Sequence, residues 1–308
     1  MKCISWNIGG LESPDRKSII KRFLLGHKNI DFFMMQELKA VNFLLNSSLD
    51  FIWRDAIKIC TNHPKGKGGA ALLINPYWGR YIKSAGSSPC NRVAWIVIEF
   101  NGTSFGVCSI YAPNEAKDRI ILWDWLHNLA NIPWILAGDF NMVENQDDKS
   151  GGLPFAWKHQ EKFYWDRCKH KLNLFDPMEV RRRDTTSLWF TWCNFQQGSR
   201  RIYSRLDRFY VNSDFFSFSP NQQQSPVFAS SSTLSDHLPI VALINIRNVW
   251  LLVLITVISL FLTHPFLMIR ILILLLRWLG HSILLTISLL TLIDGIEMSP
   301  HGGKYFKP

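Results

Sequence analysis

The chain reads as an α/β (α+β) protein on three observations. It opens strand, helix, strand: an apolar-rich run over residues 1–7, helically spaced Ile19, Ile20, Phe23 and Leu24, and a second apolar run over residues 30–35. Two strand-like runs, 93–100 and 103–111, flank Asn101-Gly102, the strongest short hairpin signal. A further run, Trp134-Ile135-Leu136-Ala137-Gly138, stays apolar to its end and then releases Asp139, Phe140 and Asn141. With 308 residues and 47% hydrophobic content, the chain can hold one large α/β domain or two smaller ones.

The elements follow in order. The first strand ends in Asn7, and Gly9-Gly10 breaks it. Ser13-Pro14 has the chemistry of an N-cap and first helical position, and Gly26 closes that helix. The second strand carries Gln36-Glu37 at its end. Residues 38–67 are poorly patterned, and Lys65-Gly66-Lys67-Gly68-Gly69 reads as a basic, flexible loop before a strand at 70–74, because it lacks the Lys-Ser/Thr end of a P-loop. The second strand of the hairpin runs into Tyr111-Ala112-Pro113-Asn114, and residues 115–130 are helical. After Asn141 come a polar loop at 144–152, a helix at 163–172, strands at 187–195 and 201–211 joined by a turn, and a polar loop at 222–235. Ser235-Asp236-His237 opens a last strand at 238–246.

Net charge is +10; residues 249–308 carry only +2 of it, so the first 248 residues hold +8. A basic body suits a polyanion, whether nucleic acid or an anionic membrane surface, or it serves solubility alone. The six cysteines show no C-x-x-C spacing, so neither a disulfide framework nor a zinc site is expected, and a reducing compartment is. The N-terminus enters a strand pattern directly, without the pattern of a signal peptide.

Polar residues recur at strand ends: Asn7, Glu37, Tyr111, Asp139, Asn141 and the pair Asp236-His237. Several such ends in one fold predict a single rim where they converge. Alternation along a strand puts Asp139 and Asn141 on one face. Asp207 sits in a strand otherwise suited to burial and needs a partner, for which a histidine is available. Glu37 and Asn7 are hard oxygen ligands of the type Mg²⁺ takes. Asp139 can orient or deprotonate a water, His237 paired with Asp207 can stabilise charge at phosphorus, and Tyr111, Asn114 and Asn141 can hold phosphate oxygens. That set describes phosphoester hydrolysis. Each residue also has a plainer role: Glu37 a strand terminator, Tyr111 a core aromatic with its hydroxyl at the surface, His237 a satisfied buried histidine.

Ser5-Trp6-Asn7, Gln36-Glu37, Ile110-Tyr111-Ala112-Pro113-Asn114, Gly138-Asp139-Phe140-Asn141, Ser204-Arg205-Leu206-Asp207 and Ser235-Asp236-His237 occur in an order that resembles the endonuclease/exonuclease/phosphatase family. The resemblance covers residues 2–246. It implies a four-layer sandwich of two packed β-sheets flanked by helices, and a phosphodiesterase or phosphatase using Mg²⁺, with Mn²⁺ as a substitute. It makes Glu37 the principal metal ligand, with Asn7 and Asp236 close to the ion. It puts Asp139 and His237 in catalysis, lets Asp207 orient His237, and assigns Asn141 to the phosphate or the attacking water. Ser150-Gly151-Gly152, Trp189-Phe190-Thr191-Trp192 and residues 201–209 are similar to endonuclease domains of plant LINE-type retrotransposons, in which the Thr191 position lies near the scissile phosphate. DNA is the partner this implies.

Arg208, Arg200-Arg201 and Arg181-Arg182-Arg183 form either a phosphate track or a solvated basic face. Residues 247–308 form a hydrophobic tail outside the 1–246 catalytic domain. Its stretch 249–269 has no formal charge over 21 residues, and 271–293 is apolar but broken by Arg277 and His281. Two readings stand: transmembrane spans, or out-of-frame sequence behind a decayed element. A membrane-tethered phospholipid phosphodiesterase and a decayed, non-catalytic copy are the alternatives to a DNA endonuclease. The expected location is intracellular, nuclear for action on DNA, or at a membrane if the tail inserts.

Overall fold

Lys2–Asn7 forms β1, with five of its six residues buried. Such burial on both faces explains a continuous apolar run in place of alternation. In the computed structural model, which describes residues 1–40, 42–61, 68–180, 189–218 and 235–246, Cys3 faces one core while Ile4 and Trp6 face another. Pro14–Gly26 is α1, started by Ser13, whose hydroxyl accepts the Asp15 N–H at 3.2 Å. Phe32–Gln36 (β2) returns parallel to β1. The segment with no clear pattern contains a helix, Asn42–Ile52 (α2), and a strand, Ile57–Cys60 (β3), antiparallel to Ala70–Ile74 (β4). The Lys65–Lys67 part of the expected glycine-rich loop lies outside the described residues.

Ile82–Ser87 (β5), Val93–Phe100 (β6) and Thr103–Tyr111 (β7) form an antiparallel meander. The β6–β7 turn has Asn101 and Gly102 at φ 51° and 73°, the positive values a tight hairpin needs at both central residues. Ala116–His127 (α3) then crosses to Trp134–Asp139 (β8), which pairs parallel with β7. At Gly138 a Cβ would lie 1.9 Å from the Ile110 carbonyl oxygen, so only glycine lets β8 approach β7 here.

Lys149–Ser150 (β9), His159–Leu172 (α4), Leu174–Phe175 (β10), Pro177–Val180 (α5), Trp192–Cys193 (β11) and Tyr203–Ser204 (β12) follow. Asp207–Asn212 (β13), Phe216–Phe218 (β14) and Ile240–Ile246 (β15) complete the body. Of the strand expected at 187–195, Trp192–Cys193 pairs, and residues 187–188 lie outside the described residues. The single strand expected at 201–211 is two. β12 joins β11 and β9 in a small sheet, and β13 joins β8. The break falls where Arg205 turns inward onto buried acids, as described below. Residues 222–234 and 247–308, including the stretches 249–269 and 271–293 and the Arg181–Arg183 run, lie outside the described residues. Among the described residues no helix is long and apolar enough to cross a membrane.

Two six-stranded sheets result, ordered β14-β15-β1-β2-β4-β3 and β10-β13-β8-β7-β6-β5. Cys3, Phe32, Met34 and Leu72 from the first pack against Ile96, Val107, Ile135 and Phe209 from the second. The outer face of the first is covered by Ile20 and Leu24 of α1 and Leu45 and Leu49 of α2. The outer face of the second is covered by Leu122 and Trp123 of α3 and Trp165 and Cys168 of α4. These are four layers, two packed β-sheets flanked by helices. Strand alternation builds them, because each strand feeds one side chain to the inter-sheet core and the next to a helix layer.

Candidate active site

Strand register brings the polar ends together. Asp139 on β8 stands opposite Asp207 on β13 and beside Tyr111 on β7, so three adjacent strands carry these side chains in a row. In the other sheet Asn7 closes β1 beside Gln36 of β2, which leads directly into Glu37. Asn7 joins the two halves: its Nδ2 donates to Asp139 Oδ2 at 2.9 Å. Ser235 donates its hydroxyl to the Asn7 carbonyl at 2.8 Å, and the His237 N–H donates to that same Ser235 oxygen at 3.1 Å. Residues 132 and 228 apart in sequence thus meet through a few short bonds.

Two buried carboxylates facing each other across a strand pair repel unless a cation lies between them. His237 is that cation. Its Nδ1 is 2.8 Å from Asp207 Oδ2 and its Nε2 is 3.8 Å from Asp139 Oδ2. Burial by itself would lower the His237 pKa, but Asp207 and Asp139 outweigh it and raise the imidazole to about 10. Burial, opposed by His237 and reinforced by Asp207, raises Asp139 to about 7. Asp139 Oδ1 also accepts the Asn141 N–H at 2.9 Å, so its lone pairs are directed. Asp207 keeps one oxygen, Oδ1, buried and without a hydrogen-bond partner among the described residues. At neutral pH the arrangement holds a charged histidine beside a carboxyl group that titrates near the ambient pH, which suits moving a proton and meeting negative charge.

Glu37 has a left-handed backbone, φ 56°, and its carboxylate pairs with the Lys39 ammonium at 2.6 Å. Burial, then the Glu37 and Asp139 carboxylates, push the Tyr111 phenol well above its ordinary value, so it stays a proton donor. The Arg92 guanidinium lies 5.0 Å from the Tyr111 ring centre. Asn141, at φ 48°, donates from Nδ2 to the Ala112 carbonyl at 2.8 Å. Asn114 and Asn141 line a cleft of about 400 Å³ whose other walls include Lys149, Phe155, Trp157 and Trp192.

Residues 4–237 match the model of the Endonuclease/Exonuclease/phosphatase family. The chain belongs to that family. All three activities in the family's name are phosphoester cleavages. Among proteins it is similar to, an exodeoxyribonuclease of Bacillus subtilis (strain 168) is 24% identical over 267 residues, 80% of this chain and 100% of that protein. Among solved structures, the AP endonuclease LMAP from Leishmania major is 15% identical with a TM-score of 0.59, over 78% of this chain and 86% of that one. The endonuclease domain of TRAS1, a telomere-specific non-LTR retrotransposon, is 13% identical with a TM-score of 0.53, over 80% and 98%. At these identities the structural likenesses speak for the fold.

As a member of the endonuclease/exonuclease/phosphatase family, the chain places its expected site residues unevenly. Asn7, Asp139, Asp207 and His237 form one bonded cluster, and Glu37 and Tyr111 act on each other beside it. Asp236 is exposed and its Oδ2 accepts the Trp192 indole N–H at 2.8 Å. Two expected phosphate contacts are buried among the described residues. Arg208, expected to contact phosphate, is fully buried and forks onto Asp148 at 2.8 Å and Asp176 at 3.2 Å. Thr191, expected near the scissile phosphate, is also fully buried, and its hydroxyl serves backbone amides. Arg205 completes the cage with Asp148 at 2.8 Å and Asp176 at 2.6 Å, and its guanidinium lies 4.0 Å over the Trp189 ring. The sequence reading missed Asp148 and Asp176. Their only signal is two acids in chain segments that precede an arginine-rich strand, which does not say that they meet.

Proposed function

We propose that this chain is a Mg²⁺-dependent DNA endonuclease that nicks the phosphodiester backbone, descended from a LINE-type retrotransposon of the plant kind. The observation that carries the chemistry is the chain Asn7–Asp139–His237–Asp207, in which one imidazole lies 2.8 Å from one carboxylate and 3.8 Å from another. In support of DNA as substrate stand the basic charge of the first 248 residues and the exodeoxyribonuclease, AP endonuclease and retrotransposon endonuclease among similar proteins. The location that goes with action on DNA in this proposal is intracellular and nuclear.

The donor set suits a hard cation. Glu37 already draws a cation, Lys39, onto its carboxylate, and Asn7 and Asp236 offer further oxygens of the type Mg²⁺ takes. Mg²⁺ or Mn²⁺ held there would polarise a phosphate oxygen and help the leaving oxygen depart. Asp139, directed by Asn7 and the Asn141 amide, takes a proton from the attacking water as the water oxygen bonds to phosphorus. His237, kept charged by Asp207, faces the negative charge that grows on the phosphate as the P–O bond breaks. Tyr111, Asn114 and Asn141 donate to phosphate oxygens and hold the group for in-line attack.

The test is direct. The purified full-length chain should convert supercoiled plasmid to nicked circles in Mg²⁺ and stop with EDTA. Clean, folded protein that leaves DNA uncut in both Mg²⁺ and Mn²⁺ would sink this reading.

A further inference from the structure

Thr191 commits every backbone and side-chain oxygen to two other segments. Its hydroxyl oxygen accepts the N–H groups of Leu206 and Asp207, both at 3.0 Å. Its own N–H donates to the Ser204 carbonyl at 3.0 Å, and its carbonyl accepts the Leu238 N–H at 2.7 Å. The tie continues beyond it: the Cys193 N–H donates to the Asp236 carbonyl at 3.2 Å, and Trp192 is the bridge partner of His237. One short stretch is therefore bonded on one side to the segment that carries Asp207 and on the other to the segment that carries His237.

Asp207 needs such a tie. The bond to His237 leaves its second carboxylate oxygen buried and unpartnered among the described residues, so the carboxylate is aimed by its own backbone more than by side-chain bonds. The backbone at Leu206 and Asp207 is set by the Thr191 hydroxyl, with the Leu206 carbonyl accepting the Phe140 N–H at 2.9 Å. A hydroxyl oxygen can accept two hydrogen bonds, and here both acceptor places hold the backbone of the Asp207 segment. The side chain is fully buried, so it has no face left for a phosphate.

We propose that Thr191 is a positioning residue that fixes the distance and angle between Asp207 and His237. The inference rests on the reading of that pair as part of a phosphodiesterase site. Thr191→Val keeps the shape and removes the acceptor, leaving two buried amides without a partner. The turn at Leu206-Asp207 then relaxes, and a carboxylate displaced by about 1 Å lowers turnover by about 100-fold. Thr191→Ser keeps the acceptor and loses a methyl group.

The experiment uses the full-length chain and two readouts. Plasmid nicking in Mg²⁺ gives kcat and KM for the wild type, Thr191→Val and Thr191→Ser. NMR of histidine-labelled protein follows the His237 ring proton on Nδ1, which a hydrogen bond to Asp207 holds far downfield, whether or not the protein cuts DNA. For Thr191→Val, kcat should fall about 100-fold with KM within about threefold of wild type, and the ring proton signal should move or vanish. Thr191→Ser should restore both. A folded Thr191→Val protein with wild-type kcat and an unmoved ring proton overturns the inference, and so does a raised KM at unchanged kcat, which would return Thr191 to substrate binding. Should Thr191→Val not fold, Thr191→Cys, with a weaker acceptor, makes the same comparison. A wild type that cuts nothing would remove the proposed activity, while the ring proton would still decide the role of Thr191.

Discussion

Arg205 and Arg208 bracket Asp207 in the chain, yet the two sides belong to clusters of opposite kind. The arginines meet Asp148 and Asp176 in four contacts of 2.6–3.2 Å, two full positive charges against two full negative ones, with Glu144 and Glu179 at the edge. Burial works against the charge of Asp148, but Arg208 and Arg205 overcome it and hold the carboxyl below its ordinary value. Asp207 faces the other cluster, where two carboxylates share one imidazole and Asp207 Oδ1 has no partner among the described residues. There Asp139 rises to about 7 and His237 to about 10. Both clusters are buried. What separates them is charge balance: in the first the arginines hold Asp148 below its ordinary value, and in the second burial and Asp207 bring Asp139 to about 7 beside a histidine that stays charged.

The largest effects should break the clusters in different ways. Asp139→Asn removes a base without changing shape, and nicking should fall by about 100- to 10,000-fold. Its thermal midpoint should fall by no more than a few degrees, because the amide nitrogen faces one of the two donors that the carboxylate accepts, while repulsion with the buried Asp207 charge is relieved. Asp148→Asn should do the reverse. It leaves two buried guanidinium groups to share the one fully buried carboxylate that remains, Asp176, at a cost of about 3–5 kcal/mol, read as a lower denaturant midpoint, while the protein that remains folded keeps its turnover. Because the Asp148 pKa is depressed, the stability it supplies is present above the ordinary carboxylate range and is lost as pH falls through the folded value. Wild type should therefore become acid-sensitive in a way that Asp148→Asn is not. An Asp148→Asn protein of wild-type stability and lost turnover would show that the two clusters are one.

A smaller effect separates the two carboxylates of the second cluster. The folded His237 pKa, about 10, lies above the ordinary 6.5, so its charge favours the fold fully below the ordinary value and that contribution is lost as pH rises through about 10. Turnover should rise as Asp139 ionises through about 7 and fall as His237 loses its proton through about 10, two limbs that belong to the coupled pair. Asp207→Asn removes the largest upward influence on His237 and should move the alkaline limb down by about 1–3 units. The loss of rate should be largest above neutrality and small on the acid limb. Ring titration by NMR checks the cause, and an unchanged His237 titration in this variant would rule out the pairing.

The comparison also explains what the sequence could and could not say. β1, β2, β7 and β8 were legible because apolar runs and Asn101-Gly102 report burial and turning, both local properties. Their polar ends were legible too, since Asn7, Glu37, Tyr111 and Asp139 interrupt those runs. The helix Asn42–Ile52 and strand Ile57–Cys60 were not, because only part of each is covered and the apolar pattern is diluted. Arg208 reads as a phosphate contact because an arginine beside a site motif looks the same whether it faces solvent or a buried acid, and Thr191 does so only through the resemblance. The acids that claim Arg208 lie 60 and 32 residues earlier, and periodicity reports a face, never a partner.

The smallest effect concerns Tyr111, which stands in the row with Asp139 and Asp207 but outside their ion pairs. Burial and the carboxylates of Glu37 and Asp139 keep its phenol protonated, against the pull of Arg92. It therefore contributes a neutral hydrogen-bond donor, and a donor to a charged phosphate is worth about 1.5–3 kcal/mol at most. Tyr111→Phe keeps the ring beneath Arg92, 5.0 Å from its guanidinium, and deletes only the hydroxyl. Turnover should fall by about 10-fold, equally across the pH range of the profile, since no titrating group has been removed. The shape of the pH profile is thus the deciding measurement. A Tyr111→Phe profile whose acid limb shifts would mean that the hydroxyl tunes Asp139, and Tyr111 would then join the charge-imbalanced cluster as a member of its proton chemistry.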